Sequence, residues 1–274
     1  MSQKLLVLEL WGLGDLTLST PLLREARDAG WEVHLSGKPY APVLLGPSFP
    51  EFGFHPFEAP WTRYRGKYRL WKWDWPAIIR WMASLRHERF DAVVSVRNDP
   101  RDHFFMRLMG IPRRYGFPLA GSEMFLTNPV ERTRTIQHKV EDWRDIARAL
   151  GLPGEAEPRL VPEAYASPRI EALAGERRRP LLCVHTGARI STRRWPMPYF
   201  RTLLEQMRRR FDFHLVLIPD PDGYGAELAP LADCVATDLT VPELVDLLGR
   251  SDLLLCNDSG PAHLAAACGR PTLT

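Results

Sequence analysis

Lys4-Leu-Leu-Val-Leu-Glu-Leu10, the loop Trp11-Gly-Leu-Gly-Asp15, a helical stretch closed by Gly30, and Trp31-Glu-Val-His-Leu35 open the chain. An almost unbroken apolar run of this length reads as a strand covered on both faces, and Gly30 stands where a helix end favours glycine. Strand, helix and strand in that order are the unit from which parallel sheets are built. The pattern recurs. Asp91-Ala-Val-Val-Ser-Val96 reads as a strand, and Val140, Trp143, Ile146, Ala147 and Leu150 have helical spacing ahead of Gly151 and Pro153.

The alternation then pauses and restarts. Pro153, Pro158, Pro162, Pro168 and Pro180 punctuate a stretch rich in Glu, Ala and Arg, so residues 161–180 are expected to be a linker between domains at 1–160 and 181–274. Residues 181–186, 214–219 and 252–256 read as strands, and Val235 lies in or opens a short one. Phe200, Leu203, Leu204, Met207 and Phe211 line one helix face, and Thr240-Val-Pro-Glu243 is a capping box. Pro261 to Cys268 reads as a helix ended by Gly269, with residues 271–274 starting a further strand. The fold class is α/β, with two halves and a cleft between them as the expected ligand site.

Composition bounds the function. At 274 residues, with 45% hydrophobic and 25% charged residues, the chain suits two folded domains and excludes disorder or collagen-like repetition. Lys+Arg of 36 against Asp+Glu of 33 leaves +3, too little to argue for nucleic acid. Apolar runs fall short of the roughly 20 residues that span a bilayer. Glu9 interrupts the first run before a signal peptide can form, so a cytoplasmic protein is expected. Cys183, Cys234, Cys256 and Cys268 form no C-x-x-C pair, so reduced thiols are expected, without zinc or disulfide.

Several loops can carry chemistry, and each has a plain alternative. Asn257-Asp-Ser-Gly-Pro261, between a strand and a helix, is either an anion site for a phosphate or diphosphate or an ordinary helix cap. Ser259 lacks the G-x-S-x-G surroundings of a hydrolase nucleophile. His185-Thr-Gly-Ala188, followed by Arg189, Arg193 and Arg194, is either a phosphate-binding loop or a solvated basic one. Asp15, after an incomplete glycine fingerprint, is either a helix N-cap or a general base. Asp220-Pro-Asp222 has a metal-holding spacing but also the composition of a turn. Asp99, Asp102 and His103 follow a strand, where they bind substrate or start a turn. Finally Trp61, Trp71, Trp73, Trp75 and Trp81 alternate with Arg63, Arg65, Lys67, Arg69, Lys72 and Arg80 against only Asp74. That mixture suits an anionic membrane or glycan surface, or else a basic face with its tryptophans in the core.

Taken together the motifs resemble the ADP-heptose:lipopolysaccharide heptosyltransferases, glycosyltransferase family 9. The resemblance extends over nearly the whole chain. It rests on Leu13-Gly-Asp15 with Pro21, Leu85-Arg-His-Glu-Arg-Phe-Asp-Ala-Val-Val94, Gly110-Ile-Pro-Arg-Arg-Tyr-Gly-Phe117 and His138-Lys-Val140. It continues through His185-Thr-Gly-Ala188, Arg193-Arg-Trp-Pro196 and Asn257-Asp-Ser-Gly-Pro-Ala-His263.

The resemblance implies a GT-B type fold, two Rossmann-like domains across a cleft, and inverting transfer without a metal or other cofactor. Asp15 then matches the catalytic base. Thr186, Gly187, Arg193, Asp258, Ser259, Gly260 and His263 match donor-binding positions, and Gly14 and Arg101 the acceptor side. Arg193 replaces the family's usual lysine. The implied partners are a nucleotide-sugar donor and an anionic lipid-linked or glycan acceptor, with peripheral contact at the cytoplasmic face of the inner membrane and no nucleic acid. The chain stops at Thr274, where the family continues, so residues 181–274 are expected to be an incomplete nucleotide-sugar domain. A nucleotide-sugar epimerase and a truncated, non-catalytic binding protein are the alternatives.

Overall fold

A computed structural model of the chain describes residues 2–63, 66–175 and 178–274. Arg65 of the basic aromatic segment lies outside them. Two compact units, residues 1–158 and 159–274, make up the fold. The first runs β1 (Lys4–Glu9), α1 (Leu13–Leu18), α2 (Thr20–Asp28), β2 (Glu32–Gly37), α3 (Ala41–Leu45), β3 (Gly53–Pro56), α4 (Trp75–His87), β4 (Ala92–Ser95), α5 (Pro100–Leu108), β5 (Arg113–Gly116), β6 (Asn128–Pro129) and α6 (Lys139–Ala149). Its six strands form one parallel sheet in the order β3-β2-β1-β4-β5-β6. Leu5 faces Val33 on one side and Ala92 on the other, so β1 sits mid-sheet with both edges bonded.

Its side chains fill two cores. Leu6 and Leu8 join Trp61, Trp73, Ile78, Trp81 and Phe105 on one face. On the other, α2 packs against α6, with Leu22, Leu23, Trp143 and Ile146 wholly buried. This double covering is the reason that the opening run lacks polar alternation.

The helix expected between Asp15 and Gly30 is two helices broken at Ser19. Pro21 has no N–H to give the carbonyl of Thr17, and the Thr20 hydroxyl donates to that carbonyl instead, at 2.8 Å. The basic aromatic segment divides between the two readings. Trp61, Trp73 and Trp81 are core residues, whereas Trp71 is 78% exposed and Tyr68 72%.

The second unit comprises α7 (Pro168–Ala174), β7 (Leu181–His185), α8 (Met197–Arg210), β8 (His214–Ile218), β9 (Cys234–Val235), α9 (Val241–Arg250), β10 (Leu253–Cys256), α10 (Gly260–Ala267) and β11 (Thr272–Leu273). Its sheet is parallel in the order β11-β10-β7-β8-β9. Leu182, Val184, Leu215 and Leu217 pack with Phe200 and Leu204 of α8 on one face. The capping box forms as expected, Glu243 Oε2 accepting the Thr240 N–H at 2.9 Å.

Residues 161–180 differ from a linker. A 3-10 turn at Pro162–Tyr165 and α7 both pack on α9, and Ser167 N–H donates to buried Asp246 at 2.8 Å. A side chain at Gly249 would collide with Pro162, so these prolines shape a packed surface rather than a free tether.

Candidate functional site

The polar groups gather at the carboxyl ends of the strands in each unit, where parallel sheets leave loops free to carry chemistry. In the first unit β1 ends in Glu9 and delivers the loop to α1. Gly12, not Asp15, occupies the N-cap position. Asp15 sits in the first turn of α1 and reaches back, its Oδ2 accepting the Gly12 N–H at 3.1 Å. Oδ1 makes no hydrogen bond among the described residues, so the carboxylate is oriented by one oxygen and presents the other. Gly14 is buried within the same turn.

Glu9 is also buried. Its Oε1 accepts the Trp11 N–H at 2.9 Å, and its Oε2 has no partner among the described residues. Burial, reinforced by the Asp15 charge, pushes its carboxyl up to about 8. Two cations lie over the Trp11 indole, Arg97 at 5.0 Å and Lys139 at 4.6 Å from the ring centre.

Arg97 is itself buried and sits between two carboxylates, Asp99 at 2.9 Å and Asp102 at 3.3 Å. Asp102 also accepts the Trp61 indole N–H at 2.6 Å, and burial raises its carboxyl to about 6 against the pull of Arg97. His103 bonds Ser122 Oγ at 2.9 Å, and burial lowers it to about 4, so its imidazole is neutral. Asp99 caps α5, accepting the Arg101 N–H at 3.0 Å, and grips the Arg101 guanidinium at 2.8 and 2.7 Å. Of the group expected to meet substrate, Asp102 and His103 are therefore interior supports.

In the second unit β10 delivers Asn257 to Ser259 onto the amino end of α10. Ser259 is the N-cap, but its hydroxyl donates to the Asn257 carbonyl at 3.0 Å, and among the described residues no side chain caps the first amides of the helix. An uncapped amino end with a positive dipole suits an anion. Arg193 stands beside it, paired with Asp258 at 2.9 Å with both partners more than half exposed. Gly260 and His263 lie in α10 itself.

Asn257 ties this end together. Its Oδ1 accepts the Trp195 N–H at 2.9 Å, and its Nδ2 donates to the Thr186 carbonyl at 2.6 Å. A cavity of about 600 Å³ is lined here by Arg193, Arg194, Trp195, Asn257 and Asp258.

Thr186, expected at the donor surface, is wholly buried, its hydroxyl donating to the Tyr224 carbonyl at 2.7 Å. Gly187 packs so closely on Asp220 and His185 that a Cβ would stand 2.7 Å from the Asp220 carboxyl carbon. Asp220 and Asp222 both hold Arg194, at 2.5 and 2.6 Å, which accounts for their spacing without an ion. Among the described residues no three His, Cys, Asp or Glu side chains converge as metal ligands. Cys183 and Cys256 are buried thiols pushed up to about 12, as expected of inert core residues.

Glu9, Trp11, Arg97 and Lys139 are not legible in the sequence as site residues, since only tertiary packing brings Arg97 and Lys139 from two distant segments to the β1–α1 loop. Asn257 is different: its place inside the strand-to-helix motif is a usable signal. Asn257→Ala removes one buried and one part-buried hydrogen bond, and a buried partner left unsatisfied costs about 1–3 kcal/mol. Urea unfolding should register a loss of that order in the second unit.

The family model of glycosyltransferase family 9 (heptosyltransferase) matches residues 78–274. A comparison with curated proteins returned no match. Among solved structures, the Escherichia coli heptosyltransferase WaaC with ADP-2-deoxy-2-fluoro heptose is 16% identical, with a TM-score of 0.78 over 98% of this chain and 87% of that one. The E. coli ADP-heptose lps heptosyltransferase II is 21% identical, with a TM-score of 0.73 over 98% and 83%. A glycosyl transferase of family 9 from Veillonella parvula is 17% identical, with a TM-score of 0.76 over 98% and 79%. At such identities the structural likeness is one of fold, the GT-B type with two Rossmann-like units. The family match, which takes in β4 and everything after it, carries the assignment further: this chain is an enzyme of glycosyltransferase family 9, the heptosyltransferases.

Proposed function

We propose that this chain moves heptose, or a related sugar, from an ADP-sugar to a lipopolysaccharide core or another glycan, with inversion and without a metal or other cofactor. The observation that carries the reading is the uncapped amino end of α10 with Arg193 at its side. A leaving nucleoside diphosphate needs its developing charge stabilised, and helix amides with a guanidinium supply that. Asp258 holds the Arg193 guanidinium until the diphosphate arrives. Gly187, Ser259, Gly260 and His263 complete the donor side, with Thr186 supporting them from beneath.

On the acceptor side Asp15, oriented through Gly12, takes the proton of the attacking hydroxyl. The acceptor oxygen bonds to the anomeric carbon as the bond to the diphosphate breaks, and ADP leaves. Gly14 keeps the turn close-packed, and Arg101, clamped by Asp99, presents positive charge to an anionic acceptor.

The exposed side chains Tyr68, Leu70, Trp71, Trp75 and Ile79 occur among Lys67, Arg69, Lys72 and Arg80. Aromatic groups with lysine and arginine suit the interface of an anionic membrane carrying a lipid-linked acceptor. No helix among the described residues is long and apolar enough to cross a membrane.

Calorimetric titration with ADP-heptose, and UDP-N-acetylglucosamine for comparison, tests the donor assignment: saturable binding that prefers the ADP-sugar is expected. Asp15→Ala should lower transfer by about 10²-fold or more and leave the donor Kd nearly unchanged. Arg193→Ala should instead weaken donor binding by about tenfold, or ~1.4 kcal/mol. Donor turnover with no acceptor requirement would favour an epimerase, and absence of donor binding a non-catalytic relative. Vesicles containing phosphatidylglycerol should retain the protein, and Trp71→Ala together with Lys72→Ala should reduce that retention; equal binding to zwitterionic vesicles would count against a charged membrane face.

A further inference from the structure

Glu9 takes no part in the transfer step proposed for Asp15, yet it ends the strand that positions that residue. It is 1% exposed. Of its two carboxyl oxygens, Oε1 accepts the Trp11 N–H and Oε2 is buried without a hydrogen-bond partner among the described residues. The charged groups that act on it come from three other segments: Asp15 of α1, Arg97 after β4, and Lys139 at the start of α6.

Neither cation is available to it as an ion-pair partner. Arg97 is taken by Asp99 and Asp102, and Lys139 by Asp142 at 3.2 Å and the Val96 carbonyl at 3.3 Å. A carboxylate in such a place would be a buried charge beside another negative charge, which proteins avoid by keeping the group protonated. Burial, with the Asp15 charge added to it, pushes the Glu9 carboxyl up to about 8.

We propose that Glu9 is a positioning residue for transfer: by holding its proton it leaves Asp15 the one negative charge of the β1–α1 loop, and loss of that proton disables the acceptor pocket. With both carboxyls ionised, the loop repels an anionic acceptor and draws on the cations that brace Trp11. The inference rests on Asp15 as the base, and its tests separate the two.

The first test needs no substrate. A carboxyl that is protonated when folded and ionised when unfolded favours the folded state less and less as pH rises from the ordinary carboxylate range to about 8. Glu9→Gln and Glu9→Leu carry no such proton. Their melting temperatures, relative to the unaltered chain, should therefore climb between pH 5 and pH 8 and level off above it. A difference that stays constant with pH overturns the proposal.

The second test reads kcat/KM for the acceptor, with ADP-heptose as donor. A group ionising near 8 loses about tenfold of its protonated form between pH 7 and pH 9. The unaltered chain should lose activity by about that factor, mainly through a rise in acceptor KM, and Glu9→Gln by less than about twofold. The same alkaline loss in both proteins would overturn the link to Asp15. Full transfer by Asp15→Ala would sink the base assignment, while the melting series would still decide whether Glu9 holds a proton.

Discussion

β1 is hydrogen-bonded along both edges and covered on both faces, so nothing polar can leave it sideways. Polar groups therefore gather at its carboxyl end, where Glu9 closes the strand and Trp11 and Asp15 follow in the loop and the first turn of α1. The same constraint acts on β7 and β10 in the second unit, where His185 to Gly187 and Asn257 to Ser259 emerge side by side because the two strands are direct neighbours. Each site is thus a by-product of burying a parallel strand: a dry interior concentrates the donors, acceptors and charges that it cannot hold at one edge of the sheet.

How far the sequence reveals this depends on range. β1, β7, β8 and β10 are legible because a short, uninterrupted apolar run bounded by polar loops suits a strand buried on both faces, and α9 because Thr240 and Glu243 cap each other locally. The break at Ser19 depends on a hydroxyl substituting for the N–H that Pro21 lacks, which apolar periodicity does not register. Residues 161–180 read as a tether because prolines punctuate both tethers and packed turns; tertiary contacts such as Pro162 against Gly249 and Ser167 with Asp246 distinguish them. Asp15 and the Asn257 to Gly260 turn are visible as motifs. Asp99 and Asp102 are visible as a cluster after a strand, but their burial is not, since it depends on Trp61, 41 positions away, donating to Asp102.

Neighbouring arginines illustrate how context divides labour. Arg194 is held by Asp220, Asp222 and the Ala188 carbonyl and lies over the Tyr224 ring, so its guanidinium is fully employed in shaping the loop. Among the described residues Arg193 has one carboxylate partner, Asp258, and both are more than half exposed, so its guanidinium stays open to solvent. One residue type is a fixed scaffold at one position and a solvent-facing cation at the position before it, and the number of fixed partners separates the two.

The two arginine clusters also respond differently to ions. Arg97 and Asp102 are shut away from solvent, where mobile ions cannot enter to screen them, whereas Arg193 and Asp258 meet in the open. Raising the ionic strength therefore loosens the loop beside α10 while the interior network of the first unit keeps its strength. A concentrated salt solution would thus soften one charged cluster of this fold and leave the other intact.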